Sequence, residues 1–270
     1  MTTPSRSPAV RERSLALITG ASAGLGKLFA QRLASLGNDV LLVARDAARL
    51  QVLADEITLQ YGVAAEALPA DLARDEGMRS VAERVAQMDR LVFLVNNAGF
   101  GTKGLLVNRP IAEQATMVKL HVMAPMLLTR VALPGLIARG KGTIINVSSV
   151  ASYVYGMGNV NYCATKAYLR FFTEALALEL TGTGVHTQAL CPGFTYTEFH
   201  DRAGIDREKM PKWLWMSAER VVDESLAQAA RRGPTVCIPG LRYRGIVFLI
   251  KYLPEWILSG ARSRYGRART

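Results

Sequence analysis

Residues 15–26, LALITGASAGLG, run an unbroken apolar stretch into a turn that holds Gly20, Gly24 and Gly26. Beyond the turn, Leu25, Leu28, Phe29 and Leu33 recur at helical spacing and mark one apolar stripe. A short apolar run, a glycine-rich turn and an amphipathic helix make one strand–turn–helix unit. Glycines let the backbone turn tightly and approach a pyrophosphate, which then sits at the N-terminus of the helix. The spacing is T-G-x-x-x-G-x-G rather than G-x-G-x-x-G. A glycine-rich turn alone says little; the strand before it and the helix after it give it meaning.

The same alternation continues downstream. DVLLVA leads to AARLQVLADEITLQYG, EALPAD to MRSVAERVAQM, and LVFLVNNAG to the long pattern ending at LIARG. GTIINVSS precedes VNYCATKAYLRFFTEALALELTGTG, VHTQALCPG follows, and SAERVVDESLAQAARRG with TVCIPG closes the series. The strand runs are continuously apolar, the mark of strands covered on both faces. Repeated β-α alternation with right-handed crossovers predicts an α/β fold: a single-domain, Rossmann-like, doubly wound parallel sheet of about seven strands, flanked by helices on both faces. The expected division is a flexible basic arm over 1–13, a domain over 14–240 with a cleft-covering segment at 194–216, and a basic, partly apolar extension over 241–270.

Composition narrows the partners. The 270 residues carry a net charge of +11, but residues 241–270 hold seven Lys/Arg against Glu255, and residues 1–13 hold three Arg against Glu12. The body is close to balanced, which argues against a nucleic-acid-binding face. The basic tail reads either as a solvated segment or as a weak peripheral contact with anionic lipid. No stretch is expected to supply the roughly 18 to 20 apolar residues of a membrane helix, and the N-terminus lacks the apolar core of a secretory signal. Cys163, Cys191 and Cys237 show no pairing or metal spacing. With few histidines besides, no metal site is expected, and the cysteine usage suits a cytoplasmic protein.

The chemistry concentrates at NYCATKAY, residues 161–168, where Tyr162 and Lys166 stand four apart and share a helix face. Alone, that spacing is as common on any helical surface. Here it follows NVSS at 146–149, and Ser149 lies 13 residues before Tyr162. A ketone accepting hydride needs a proton donor and a hydrogen-bond donor on its developing oxyanion. A free phenol, with a pKa of about 10, needs a neighbouring cation to favour its phenolate.

Taken in order, TGASAGLG, AD at 70–71, NNAG at 96–99, NVSS, YCATK at 162–166 and PGFTYT at 192–197 resemble the short-chain dehydrogenases/reductases over roughly residues 14–240. The resemblance implies that Tyr162 exchanges the proton, Ser149 holds the carbonyl oxygen and Lys166 tunes the tyrosine while bonding the nicotinamide ribose. It further implies a dinucleotide held by Gly20, Ser22, Gly24, Leu25 and Gly26 at the phosphates, Asp71 and Leu72 at the adenine, and Asn97 near the ribose. Pro192, Gly193, Thr195 and Thr197, with Tyr162 and Lys166, are implied at the nicotinamide end. Asp71 also reads as a helix cap and Pro192-Gly193 as a plain turn.

Two positions depart from the family pattern. His121 stands where a fourth catalytic residue is usually asparagine; it reads either as a proton relay or as a packed helix histidine. At the end of the second strand the acidic position of NAD sites is Ala44, followed by Arg45. A guanidinium suits a 2′-phosphate through charge-assisted hydrogen bonds, so NADP(H) is expected rather than NAD. The usual second basic residue is missing, since Ala23 occupies its place, and Asp46 dilutes the field.

Phe194, Phe199, Trp213 and Trp215 lie in the covering segment and are expected to line a substrate site for a hydrophobic carbonyl or alcohol; the tryptophans read equally well as packing. The resemblance implies a homodimer or homotetramer. The reading is an oxidoreductase interconverting a carbonyl and an alcohol, with a β-ketoacyl-type substrate in view. The alternative is an NADP(H)-binding sensor or partner-binding protein with weak or no turnover.

Overall fold

The computed structural model describes residues 13–155, 158–199 and 210–252. Seven parallel strands form one sheet in the order β3-β2-β1-β4-β5-β6-β7. They are β1 (Leu15–Thr19), β2 (Asp39–Ala44), β3 (Ala65–Pro69), β4 (Leu91–Asn96), β5 (Gly142–Val147), β6 (Val185–Leu190) and the short β7 (Val236–Cys237). The chain winds outward from β1 through β2 to β3, then returns to β4 on the other side of β1. That reversal opens a crevice beyond the carboxyl ends of β1 and β4, where ligands sit in such sheets.

Alternate side chains of each strand feed two cores. On one face Ala16, Ile18, Val40, Leu42 and Ile145 pack against α1 (Gly24–Ser35), α2 (Ala47–Tyr61) and α7 (Ala218–Ala230). On the other, Leu17, Leu41, Val43, Leu94 and Ile144 meet α3 (Asp75–Ala86), α5 (Ala124–Ala138) and α6 (Val160–Glu179). Burial on both faces is why these strands read as unbroken apolar runs. Ser217 opens α7 as a side-chain cap, accepting from Arg220 N at 3.3 Å, at the position the sequence marked.

The long apolar pattern after β4 folds as α4 (Ile111–Val118), a π-helical turn over Lys119–Met123, and α5. Pro125 has no N–H to donate, so the carbonyl of His121, four residues back, has no α-helical donor. The turn widens just before that gap.

This run corrects one expectation. Ile111–Ala138 is long and apolar enough to cross a membrane by length and composition, with a mean hydropathy of 1.5 in its most apolar window. Met117, Leu128 and Leu136 from it are fully buried in the fold. Ile111 and Met123 from the same run stay exposed, 81% and 43%, so the run is buried along one side only.

The last helix, α8 (Leu241–Tyr252), is not set apart from the body. Its Tyr243 and Val247 are buried, and the Tyr243 hydroxyl accepts from Phe194 N at 2.9 Å while donating to Leu214 O at 2.5 Å. The expected basic arm before Arg13 and the extension beyond Tyr252 lie outside the described residues.

Candidate active site

The crevice is a cavity of about 1180 Å³ running from the end of β2 to α8. Its floor is the loop after β1. Gly20 and Gly24 both take left-handed backbone, with φ of 67° and 54°, which a side chain would strain. Helix α1 begins at Gly24 with no side-chain cap and no acidic residue in its first turn. Its first N–H groups have no intrahelical acceptor and suit an anion. Gly20, Ser22, Ala23, Gly24 and Leu25 line the cavity, whereas Gly26 does not. A Cβ on Gly26 would lie 2.2 Å from the Gly20 carbonyl oxygen, so that glycine closes the helix onto its own loop. Gly26 thus serves the packing of α1 on its loop rather than the cavity wall. A cradle of this kind fits the pyrophosphate of a dinucleotide.

Asn97 lines the cavity and spends its amide on the loop, donating to Thr19 O at 2.9 Å and Gly20 O at 3.2 Å. Asp71 and Leu72 also line it. The Asp71 carboxylate accepts from Ala73 N at 3.0 Å within the turn before α3, whose N-cap position is Arg74 rather than Asp71. At the far rim stands Arg45, exposed and without a hydrogen bond or ion pair among the described residues. Asp46, expected to dilute its charge, caps α2 by accepting from Arg49 N at 3.0 Å and lies 3.5 Å from Arg49 Nε. Arg49 reaches across the cavity mouth to Glu198 at 3.2 Å.

Ser149, Tyr162 and Lys166 meet on the opposite wall. Ser149 ends β5's following turn and is held as a cap, accepting from Ala151 N at 3.1 Å. Tyr162 and Lys166 are one turn apart on α6, with the ammonium 5.8 Å from the phenol ring centroid. The Lys166 ammonium donates to Val147 O at 2.7 Å, pinning α6 to the end of β5. Burial raises the Tyr162 phenol above its ordinary value, while its hydrogen bond with Ser149 pulls the other way. Burial also lowers Lys166 to about 8. The sequence reading had Lys166 drawing the phenol down. In this protein desolvation is the larger influence on both groups, because both sit in the wall of an apolar cavity.

His121 is buried in the π-helical turn and does not line the cavity. Phe100 N donates to its Nε2 at 3.1 Å, which leaves the ring proton on Nδ1, 3.0 Å from Thr165 Oγ1. Thr165 in turn donates to Tyr162 O at 3.0 Å. Burial, then the nearby Lys166 charge, holds the imidazole well below its ordinary pKa and therefore neutral. Both nitrogens are committed, so the geometry favours the packed histidine over the relay. A Cβ on Gly99 would come within 2.8 Å of Nε2, which explains the glycine there.

Pro192, Gly193, Thr195 and Thr197 line the cavity beside this wall, as do Phe194 and Phe199. Trp213 and Trp215 do not. Trp215 lies behind the wall, its ring 5.5 Å from Phe194 and 5.0 Å from Tyr196, and Trp213 points outward, 55% exposed. Leu214 between them is the lining residue, joined by Phe100, Val154, Tyr155, Ile246 and Ile250. The α8 pair was missed, although Tyr243, Ile246, Val247 and Ile250 recur at helical spacing in the sequence. Residues 200–209 of the covering segment lie outside the described residues. Among the described residues no cluster of His, Cys, Asp or Glu could hold a metal.

Residues 14–208 match the family model described as short chain dehydrogenase. A 3-oxoacyl-(acyl-carrier-protein) reductase FabG of Aquifex aeolicus (strain VF5) is 33% identical over 68% of this chain and 75% of its own. Among solved structures, the short-chain dehydrogenase from Sphingobium yanoikuyae in complex with NADPH is 36% identical, with a TM-score of 0.81 over 93% of this chain and 94% of that one. The bulky-bulky ketone specific alcohol dehydrogenase from Comamonas testosteroni is 30% identical, with a TM-score of 0.76 over 94% and 93%. With this fold, this cavity and these relatives, the chain belongs to the short-chain dehydrogenase/reductase family of NAD(P)-dependent oxidoreductases.

Proposed function

We propose that the chain interconverts a hydrophobic ketone and its alcohol, using NADP(H). The observation that carries the reading is the convergence of Ser149, Tyr162 and Lys166 on one wall of a cavity whose floor is an uncapped, glycine-lined helix start. A bound nicotinamide dinucleotide supplies or accepts the hydride. Gly20, Ser22, Gly24 and Leu25 would hold its phosphates, Asp71, Leu72 and Asn97 its adenosine half, and Pro192, Gly193, Thr195 and Thr197 its nicotinamide half.

Ser149 donates to the substrate oxygen and fixes its place. Tyr162, protonated because it is buried, gives its proton to that oxygen during reduction and takes it back during oxidation. Lys166, cationic when protonated, offsets the charge that develops on the phenol oxygen. Arg45, exposed at the rim, supports a 2′-phosphate and thus NADP(H).

Apolar lining by Phe100, Val154, Phe199, Leu214, Ile246 and Ile250 supports a bulky or long-chain apolar carbonyl. The solved relative specific for bulky-bulky ketones and the ketoacyl reductase both accord with it. Exposed Val160, Tyr168 and Phe171 on α6, with Ile111 and Met123 before α5, support a homo-oligomer through these helices.

The test is NADPH oxidation against ketones from short polar compounds to long-chain β-keto esters and steroids, with NADH as control. Turnover that rises with apolar size supports the reading. NADPH binding with no turnover of any ketone, unchanged in Tyr162→Phe, supports a binding protein instead.

A further inference from the structure

Helix α8 has two apolar faces. Tyr243, Ile246, Val247 and Ile250 turn inward, and Ile246 and Ile250 line the cavity. Leu241, Phe248 and Tyr252, seven and eleven residues apart, fall on the opposite side of the same helix. They are 76%, 62% and 65% exposed, and the Phe248 and Tyr252 rings pack at 4.7 Å. Leu249 is exposed beside them.

Cations border this outer stripe and no acidic residue interrupts it. Lys251 lies 5.6 Å from the Tyr252 ring centroid. Arg242 donates to Trp213 O at 3.0 Å, and Arg244 donates to Ile238 O at 2.9 Å while pairing with Glu224. Exposed Trp213, with Lys212 next to it, extends the patch at the N-terminal end of the helix. After Tyr252 the chain adds Arg262, Arg264, Arg267 and Arg269 against Glu255 alone.

We infer that the outer face of α8 docks on an anionic lipid bilayer. Leucine and aromatic side chains enter the boundary between headgroups and acyl chains, and flanking Lys/Arg stay at the lipid phosphates. Clustered positive charge at the membrane-facing end of a chain adds attraction to anionic headgroups. The charge also argues against a second copy on this face, which would set two such cationic segments against each other. Because the inner face of the same helix lines the cavity, docking sets a carbonyl compound dissolved in the bilayer beside the site. That last step rests on the oxidoreductase reading; the docking does not.

The experiment is co-sedimentation of the full chain with phosphatidylcholine vesicles, with and without phosphatidylglycerol, at rising salt. Pelleting is expected only with phosphatidylglycerol, weakening as salt screens the contact. Phe248→Glu is expected to weaken it by at least about tenfold while leaving NADPH binding unchanged. Failure of the wild-type chain to pellet, or equal pelleting of the variant, overturns the inference. So does a fall in molar mass of Phe248→Glu by light scattering without vesicle binding, which makes the face a subunit contact. Ketone turnover without pelleting defeats the docking alone, and pelleting without turnover defeats the oxidoreductase reading alone.

Discussion

Lys166 illustrates how a side chain proposed to serve the reaction can weigh against the fold. Burial lowers it to about 8 from 10.5, so between these values the unfolded chain binds the proton and the folded chain does not. Stability therefore rises with pH across that window, and below about pH 8 the buried charge weighs against folding. Lys166→Met is expected to raise the melting temperature at pH 7 without cofactor and to abolish turnover, a pair of changes that thermal melts and NADPH oxidation together read. Tyr162→Phe keeps the ring and removes the proton; kcat is expected to fall by about 10²–10⁴-fold with NADPH binding retained. His121 acts differently. Neutral and doubly bonded, it ties Phe100 to the turn of α6 that carries Tyr162. His121→Leu is expected to cost about 1–3 kcal/mol in denaturant unfolding by leaving Phe100 N–H without its acceptor and Thr165 Oγ1 without its imidazole donor. The pH profile of kcat/KM is expected to keep its shape in that variant; a changed shape would make His121 a proton relay after all.

At the scale of elements, the site depends on how helices begin. Helix α1 starts without a cap, which leaves its N–H groups for an anion, and its fit to the preceding loop depends on Gly26 having no Cβ. Gly26→Ala is expected to push α1 off the loop and abolish NADPH binding, measured by fluorescence titration, even where circular dichroism shows a folded chain. Helix α6 presents Tyr162 and Lys166 from successive turns, so a register shift would part them. These features were legible in the sequence because they are local: a glycine spacing, and an i, i+4 pair. The roles of Trp213, Trp215 and α8 were not. Which of three adjacent residues, Trp213, Leu214 or Trp215, faces the cavity is decided by the short 3₁₀ turn at Lys212–Leu214 and by Tyr243 gripping Leu214 O. No local pattern announces that.

For the whole molecule, the sheet's two cores hold the crevice open between β1 and β4, and cofactor binding is expected to reinforce that arrangement. NADPH at 100 times its Kd adds about 2.7 kcal/mol to stability, a rise in Tm of about 5–10 °C for a chain this size. Arg45→Ala is expected to weaken NADPH binding by about ten- to a hundredfold and to shrink that rise at fixed concentration, with NADH little changed. Equal NADH and NADPH shifts in the wild-type chain would remove the preference for a 2′-phosphate. The apolar helix run Ile111–Ala138 belongs to this scale as well. Its composition passes for a membrane span, while one side of it, with Leu128 and Leu136, packs into the core beside the sheet.

The sequence by itself determined the strand–helix alternation, the glycine turn, the Ser149–Tyr162–Lys166 spacing and Arg45 at the end of β2. Each rests on residues near one another in the chain, where periodicity and turn chemistry act directly. Tertiary structure decided that His121 is clamped between Phe100 and Thr165, that desolvation governs Tyr162 and Lys166, and that α8 closes the cavity with Ile246 and Ile250. Those outcomes depend on which distant groups exclude water from a side chain or leave a hydrogen-bond partner within reach. Burial and pairing of that kind exist only once the sheet has brought the ends of β4, β5 and β6 together.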